Sequence, residues 1–415
     1  MRWLASLVTG LVCISFALAA DWPQWLGPNR DGATTEVVKP WKGDLKVLWR
    51  TNVGEGHSSP VVANGFVFLH TKGDDDEQEA LHAWRVDDPS VHASIGFKRD
   101  KFSSQFGNGP RATPLVYGDH VWCLGATGDL TMVTWRKQGQ GLEIQQAASI
   151  HAAKNYQAPP LMFGVSASPL LENDKIVVQV GGKKGSIGAF NSKTNEEVWH
   201  ALNDPPSYAA PVAIGKGEQR QIVCLTQKRL VGLSPKDGEL LWEFPFKDQL
   251  AESSTTPVLV GDLLIASSVT LGSVGLKFTE KSGKPTVEQA WKNPALTCYF
   301  STPVPVGEQL YMINGSFIPP PSATLRCIET KTGKVLWSKP KVGKYHAALI
   351  RTGDDKLLML DDSGSLTLIQ PDPAGYKELA RSKICGETWA HPALANGKLY
   401  VRDNKELICV ELGEK

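Results

Sequence analysis

The 415-residue sequence has almost no net charge, because 44 lysine and arginine residues offset 43 aspartate and glutamate residues. Proteins that bind nucleic acid through bulk charge carry a large positive excess, so we expect no nucleic-acid partner. Charged residues make up 21% of the chain and hydrophobic residues 41%, a balance that excludes an intrinsically disordered tail protein. We therefore expect a well-packed globular protein whose partners recognise local surface features.

The sequence also lacks the common short motifs of catalysis and metal binding. It contains no Cys-x-x-Cys, His-Glu-x-x-His, Gly-x-Gly-x-x-Gly or Gly-x-Ser-x-Gly. Nothing in it therefore points to haem, zinc, a dinucleotide or a serine nucleophile. The acidic run at 74–77 has enough carboxylates to hold Ca²⁺, but we interpret it as a solvated loop. The sequence predicts no metal site.

Only one long apolar run is present, from Leu4 to Ala20. It follows Arg2 and ends in small residues, the pattern of a Sec-type signal peptide over residues 1–20. The alternative is a membrane anchor, although the run is shorter than the ~20 residues that a span needs. Cys13 follows a branched residue, which argues against a lipoprotein. We expect a periplasmic or secreted protein with no membrane span once the signal is removed.

A proline that introduces a short apolar run recurs at intervals of 42 to 55 residues, the repeat length of four-stranded propeller blades. Most copies continue with a tight Asn-Gly or Gly-Asp turn and further short strands, which predicts four antiparallel strands per copy. The repeated positions are Pro60, Pro114, Pro169, Pro211, Pro257, Pro303 and Pro392, with Ala348 in a degenerate copy. The sequence thus contains eight copies.

The eighth copy ends after its third strand, Leu407 to Leu412. A fourth strand with its tryptophan is found instead before the first copy, at Val47 to Thr51. We therefore predict an all-β, eight-bladed β-propeller of four-stranded antiparallel blades, closed by the N-terminal strand completing the last blade. Residues 45–415 would form this propeller, residues 21–44 would pack on it, and we expect a monomer.

A nine-residue pattern that ends in tryptophan precedes or forms the fourth strand, as in 191–199, 234–242 and 329–337. These segments resemble the tryptophan-docking repeat of pyrroloquinoline quinone (PQQ)-type propellers, and the opening Asp21–Trp25 is similar to the start of such chains. The resemblance implies a structural docking role for the tryptophans of the fourth strands. These are Trp49, Trp199, Trp242, Trp291 and Trp337.

The family that the chain resembles contains two functional classes. Quinoprotein dehydrogenases bind PQQ and Ca²⁺ and oxidise alcohols or sugars, whereas BamB-type propellers are periplasmic scaffolds without a cofactor. Many of the enzymes carry adjacent cysteines beneath the PQQ ring, but no two cysteines are adjacent here and the blades are short. Our leading hypothesis is a non-enzymatic, BamB-like scaffold for a protein or peptide partner, with no cofactor. The alternative is a PQQ-dependent dehydrogenase.

The strand order places the loops that enter each first strand on one face, together with the loops between second and third strands. The longest loops fall there, among them 102–110 and 151–164, so this long-loop face is the candidate binding side. The residue three positions before each repeated proline should lie at the mouth of the channel. Aromatic residues arranged around this mouth together with Arg and His suit a flat anionic or carbonyl-bearing ligand, or a peptide side chain. An alternative is that these side chains merely fill the channel. The candidates are His57, Arg111, Tyr208, Phe300, Tyr345 and Trp389, with Ser166 and Ser254 in the same position and His346 and His391 alongside.

Overall fold

The computed structural model describes residues 21–139, 141–315 and 320–412, and the expected signal peptide lies outside these ranges. The described residues form eight four-stranded antiparallel sheets. One short helix, α1 (Ala152–Asn155), and one 3-10 turn (Gly217–Gln219) interrupt the strands. The predicted all-β, eight-bladed propeller is therefore confirmed.

In each blade the first strand is the shortest or among the shortest and lines the central channel. Blade one consists of β2 (Val61–Ala63), β3 (Phe66–Lys72), β4 (Gln78–Arg85) and β5 (Asp88–Lys98), and blade two of β6 (Leu115–Tyr117), β7 (His120–Leu124), β8 (Asp129–Gln138) and β9 (Gly141–His151). Blade three consists of β10 (Leu170–Glu172), β11 (Lys175–Gln179), β12 (Ile187–Asn191) and β13 (Glu197–Ala201), and blade four of β14 (Val212–Ile214), β15 (Gln221–Leu225), β16 (Arg229–Leu233) and β17 (Leu240–Pro245).

The remaining blades repeat this order, except that the last takes its outer strand from the start of the chain. Blade five consists of β18 (Val258–Val260), β19 (Leu263–Ser268), β20 (Gly272–Lys281) and β21 (Lys284–Asn293), and blade six of β22 (Val304–Val306), β23 (Gln309–Asn314), β24 (Ala323–Glu329) and β25 (Lys334–Gly343). Blade seven consists of β26 (Ala347–Arg351), β27 (Leu357–Asp361), β28 (Ser365–Gln370) and β29 (Lys377–Lys383), and blade eight of β30 (Ala393–Ala395), β31 (Lys398–Arg402), β32 (Glu406–Glu411) and β1 (Val47–Asn52). The predicted closure by the N-terminal strand is confirmed, because β1 pairs with β32.

The five fourth-strand tryptophans lie opposite a small residue of the third strand. The pairs are Trp49 with Cys409, Trp199 with Ala189, Trp242 with Gly232, Trp291 with Gly275 and Trp337 with Cys327. A Cβ at Gly275 would overlap the indole of Trp291, which shows why this position is small.

Four of these tryptophans join their blade to the next one. Their indole Nε1–H groups donate to backbone carbonyls in the turn between the third and fourth strands of the following blade. The acceptors are Val86 for Trp49, Pro235 for Trp199, Thr330 for Trp291 and Asp372 for Trp337. Trp242 differs, because its Nε1–H donates to the Gln221 side chain of its own blade.

The exception at Trp242 follows from the length of the neighbouring hairpin. In blades four and six, a turn glycine packs on the preceding tryptophan, and a Cβ at Gly238 or Gly333 would lie 2.6 or 2.5 Å from the indole. The β20–β21 hairpin of blade five is extended to ten residues per strand, and its turn glycine, Gly283, has nothing within 4 Å of a built Cβ. Trp242 instead packs edge-on against Phe278, with 5.7 Å between ring centroids.

The six cysteines of the described residues are unpaired and buried. Burial raises the pKa of each of these thiols, so they behave as small apolar side chains of the blade interfaces. Within the described ranges, none of the helical segments is long and apolar enough to cross a membrane.

Residues 22–36, which precede β1, cross the channel at the end opposite the long-loop face and contact every blade. Backbone hydrogen bonds join Trp22 to Val62 and Pro23 to Val116, in blades one and two. Further contacts reach blades three to eight: Arg30 to the carbonyls of Ser168, Pro169 and Pro211, Trp25 to Thr256, Gly32 to Val304 and Arg351, and Glu36 to the amides of Asn396 and Gly397. The channel is therefore closed at this end.

Candidate functional site

The open end of the channel is a blind pocket on the long-loop face, with a cavity volume of about 110 Å³. Its walls come from the segments that precede the first strands and from the loops inserted before blades two and three. The lining residues are Trp25, His57, Phe106, Arg111, Phe163, Ser166, Ser168, Tyr208, Ala210, Ser254, Phe300 and Trp389. We call this cavity the aromatic pocket.

Trp25 forms the floor of the aromatic pocket. It comes from the segment that closes the opposite end of the channel, and its Nε1–H donates to Thr256 Oγ1 at 3.0 Å. Its ring also meets His391 edge-on at 5.6 Å. The floor is therefore held by contacts to two different blades, and any ligand must enter from the long-loop face.

Aromatic rings in mutual contact form the wall of the pocket. Phe163 is central, with ring centroids 4.8 Å from Phe106, 5.2 Å from Tyr208 and 5.8 Å from Phe300. Trp389 completes the wall by stacking on Phe300 at 5.4 Å. Such a wall favours apolar or aromatic groups, because the free energy of binding becomes more favourable with the apolar area that is buried.

Phe300 is held in a strained backbone conformation. Its φ angle is +60°, in the left-handed region that bulky L-residues avoid at a cost of roughly 1–2 kcal/mol. The contacts that hold this conformation include the hydrogen bond from its N–H to Ser254 Oγ at 3.2 Å and the ring contact with Tyr299 at 3.8 Å. The result is a phenyl ring presented to the pocket.

Arg111 is the one cation among the described residues that line the pocket, and the protein already uses its donors. Its guanidinium donates to the carbonyls of Phe106, Gly107 and Gly109, and lies 5.0 Å from the centre of the Phe102 ring. Burial lowers its pKa to about 10. Arg111 thus shapes the inserted loop before blade two, although the sequence suggested a ligand contact.

His57 stands between this loop and Trp389. Its Nε2 lies 2.8 Å from the carbonyl oxygen of Phe106, and its ring is 5.7 Å from that of Trp389. Burial lowers its pKa to about 4, with smaller contributions from the neighbouring arginines, so the imidazole is neutral at pH 7. A neutral His57 with Nε2 bound to a carbonyl carries its proton on that nitrogen.

Tyr345 and His346 support Trp389 from outside the pocket. Tyr345 meets its ring edge-on at 5.7 Å, and His346 Nε2 lies 3.3 Å from its carbonyl oxygen. Asp362 holds this pair, because its carboxylate accepts the backbone N–H groups of Lys344, Tyr345 and His346. Burial opposes ionisation of Asp362, but these bonds and His346 outweigh it and lower its pKa to about 2.

The structure thus brings seven of the ten residues named from the sequence into one pocket, namely His57, Arg111, Ser166, Tyr208, Ser254, Phe300 and Trp389. His391 lies outside it: its ring is buried beneath, stacked on Trp22, with its nitrogens against the carbonyls of Pro392 and Leu349.

Sequence reasoning missed Trp25, Phe106 and Phe163. The latter two are aromatic residues in the inserted loops that the sequence had marked by length, and this was the available signal. Trp25 gave no signal of its own, because only the fold shows that its segment crosses the channel.

A second, larger cavity of about 520 Å³ adjoins the aromatic pocket on the same face. His57, Phe106 and Trp389 line both and form the shared wall. Apart from Gly107, its other lining residues are polar or acidic: Glu55, Gln105, Glu387, Thr388 and Asn404. We call it the acidic pocket.

The aromatic pocket does not fit PQQ with Ca²⁺. Its described lining contains no carboxylate to coordinate Ca²⁺, and the described chain holds no cluster of three or more His, Cys, Asp or Glu side chains that could bind a metal. PQQ carries three carboxylates, yet Arg111 is the single cation among the described lining residues and already donates to three carbonyls.

The fold and the pocket together define an eight-bladed propeller with one plugged channel end and one open, ligand-accessible end. Residues 160–339, blades three to six, match the family model described as outer membrane protein assembly factor BamB. This match confirms the resemblance to PQQ-type propellers that the sequence indicated. A comparison with curated protein sequences gives no match.

Solved structures of both functional classes share the fold. Quinohemoprotein alcohol dehydrogenase from Comamonas testosteroni aligns with a TM-score of 0.65 and 12% identity, over 95% of this chain and 81% of that one. BamB from Moraxella catarrhalis aligns with a TM-score of 0.56 and 13% identity, over 88% of this chain and 99% of that one. A europium-containing methanol dehydrogenase gives 0.62 and 10%, over 94% and 89%. At these identities the likeness shows the fold alone.

Proposed function

We propose that this protein is an exported, non-enzymatic scaffold that captures a protein or peptide partner on its long-loop face. The aromatic pocket would receive an apolar or aromatic side chain of the partner, in the way that interface pockets take a central anchor. The surrounding long loops would contact the backbone of the partner.

The observation that carries this proposal is the chemistry of the pocket lining. Aromatic rings from several blades converge on a blind cavity, while Arg111 and His57 in its lining are bonded to backbone carbonyls. Among the described lining residues, His57 is hydrogen-bonded to the carbonyl of Phe106 and not to a serine or tyrosine hydroxyl, so the cavity suits binding better than acid–base chemistry. The BamB family description over residues 160–339 agrees with a scaffold.

The competing hypothesis of a PQQ-dependent dehydrogenase is tested directly by titration. PQQ with Ca²⁺ is added to the purified protein while quinone absorbance and the thermal midpoint are followed. We expect no change at high micromolar concentration, because the described lining of the pocket holds no carboxylate and its cation, Arg111, is bonded to backbone carbonyls. A saturable shift would favour the enzyme.

Partner binding is tested by selecting peptides from a displayed library on the purified protein and measuring their affinity for a pocket variant. We expect Phe163→Ala to weaken the selected peptides by about 5- to 30-fold, since a central aromatic contact contributes about 1–2 kcal/mol. The matched control is Tyr117→Ala, an aromatic residue that is 58% exposed on the opposite face. Equal affinity of both variants for the peptides would contradict the assignment of the binding face.

A further inference from the structure

The rings of the pocket wall come from opposite sides of the channel and meet across its mouth. Phe163 precedes blade three and Phe300 precedes blade six, three blades further round the propeller, yet their ring centroids are 5.8 Å apart. Phe106 and Trp389, which precede blades two and eight, approach each other to 6.4 Å. Phe163 also touches Phe106, and Phe300 touches Trp389, so the four rings form a closed circuit. The path from the long-loop face to the Trp25 floor is therefore narrowed by these side chains.

The inserted loops before blades two and three are held by different kinds of contact. The loop before blade two is fixed by two arginines. Arg111 donates to three of its carbonyls, and Arg99 donates to the carbonyl of Asn108 at 2.7 Å while it also pairs with the buried carboxylate of Glu79. Displacing this loop would break several charge-assisted hydrogen bonds, so we expect it to remain in place.

The loop before blade three is fixed at its two ends and lacks such bonds between them. The N–H of Ala158 donates to an earlier carbonyl of the same loop, and the N–H of Val165 donates to a carbonyl of blade two. Among the described residues, the backbone of 159–163 forms no backbone hydrogen bond outside its own loop, because the carbonyl of Leu161 accepts the N–H of Gly164. The backbone therefore leaves this segment free to move as a unit.

Side chains provide the attachment of this segment. Phe163 is only 7% exposed and packs against Phe106, Tyr208 and Phe300, and its backbone approaches the Tyr208 hydroxyl. Leu161 is half-buried against the core between blades two and three. The other three residues of the segment are exposed. A surface segment with so few buried contacts opens locally at a fraction of the free energy of global unfolding.

We propose that residues 159–163 form a lid over the aromatic pocket, with Phe163 as the ring that closes it and Gly164 as the hinge. Gly164 has a φ angle of +73°, and glycine enters and leaves this region without steric strain. When the lid swings away, the path to Trp25 widens and an apolar side chain of the partner enters. When the lid returns, Phe163 packs on that side chain. The identity of what enters rests on the proposed function, whereas the opening itself requires no partner.

The opening is measured by the reactivity of a cysteine placed at the deep end of the pocket. Ala210 lines the pocket and precedes Pro211, whose carbonyl accepts a hydrogen bond from Arg30 in the segment that closes the channel. Ala210→Cys is labelled with methyl methanethiosulfonate and followed by mass spectrometry, with the wild type as background because its described cysteines are buried. We expect slow labelling, at a rate set by the fraction of molecules with an open lid.

Gly164→Ala in this background should raise the labelling rate at least 10-fold. A Cβ at this position would lie 2.8 Å from the carbonyl oxygen of Ala126 and 3.0 Å from the Phe102 ring, which strains the closed lid. Phe163→Ala removes the closing ring and should also raise the rate at least 10-fold. The matched control is Gly118→Ala, at φ +60° on the opposite face with nothing within 4 Å of a built Cβ, which should leave the rate unchanged.

Rapid labelling of Ala210→Cys that Gly164→Ala does not change would show that the pocket is permanently open and has no lid. An increase with Phe163→Ala alone would make the ring a fixed obstruction. Absence of labelling in both variants, with complete reaction after unfolding in urea, would show that the segment never opens. Each of these results overturns the lid and leaves the scaffold proposal to the peptide selection. Expected labelling without any selected peptide would refute the scaffold and leave the lid.

Discussion

The turn glycines allow the contribution of tryptophan docking to be measured by comparing two substitutions of the same kind. Gly333 and Gly283 occupy corresponding turns of blades six and five and have similar φ angles of +69° and +73°. A Cβ at Gly333 would lie 2.5 Å from Trp291 Cε3, whereas a Cβ at Gly283 has nothing within 4 Å. The main difference between Gly333→Ala and Gly283→Ala is therefore the contact with a docked indole.

Both substitutions place alanine in the left-handed region, which costs about 1 kcal/mol of folding free energy. Gly333→Ala must in addition displace the Trp291 ring, whose Nε1–H is bonded to Thr330 at 2.9 Å, and overpacking of this kind costs about 1–3 kcal/mol. We expect a loss of about 2–4 kcal/mol for Gly333→Ala and about 1 kcal/mol for Gly283→Ala. Effects on the unfolded chain are the same in both and cancel.

The free energies of unfolding are compared by urea denaturation followed by far-ultraviolet circular dichroism. Gly238→Ala provides a second docked turn, because its Cβ would lie 2.6 Å from Trp199, and it should behave as Gly333→Ala does. Equal losses for Gly333→Ala and Gly283→Ala would refute the reasoning, since docking would then contribute nothing measurable to the joint between blades.

Two further predictions concern buried charged groups. Arg30→Met should destabilise the protein by about 2–4 kcal/mol in urea denaturation, because it leaves the carbonyls of Ser168, Pro169 and Pro211 without their donor; unchanged stability would show that the plug is not held by Arg30. Asp362 has a pKa lowered to about 2, so its contribution is present above the ordinary carboxyl pKa of 3.8 and is lost as pH falls towards 2. After allowance for solvent screening, we expect the ionised Asp362 to contribute about 1–2 kcal/mol to the free energy of unfolding. The loss of stability between pH 4.5 and 2.5 should therefore be smaller in Asp362→Asn than in the wild type, and parallel pH profiles would contradict this.

The fold could be predicted from the sequence because its signals are local and repeated. A proline before each inner strand and a tight turn after it mark the first hairpin of most blades, and no long-range information is needed to count them. Even the closure of the ring was visible, since the last copy lacks the strand that Val47–Asn52 supplies. Repetition averages out the ambiguity of any single short strand.

The candidate site was predicted less completely, and the reasons are physical. Position before the repeated proline places a backbone near the channel but does not fix where the side chain points, so His57 and Trp389 line the pocket while His391 is buried beneath it. Arg111 reads as a ligand contact in the sequence, yet its hydrogen bonds are with its own loop. These outcomes depend on contacts between blades that no local pattern records.

The behaviour of Trp242 shows the same limit. Its segment follows the same nine-residue pattern as those of Trp199 and Trp337, but its docking partner depends on the length of the next blade's outer hairpin. A repeat therefore predicts the position of a residue in the blade more reliably than the hydrogen bond that its side chain forms there.

The plug and the closing strand have a consequence for how the chain reaches its folded state. Residues 22–36 and β1 precede the blades in the chain, yet their partners include Arg351, Asn396 and β32, more than 300 residues later. Forming these contacts requires closing loops of more than 300 residues, and contacts between residues so far apart in sequence slow folding. The opening segment can pair early with Val62 and Val116, but its contacts with Arg351 and Asn396 and the pairing of β1 with β32 form only when the last two blades are in place.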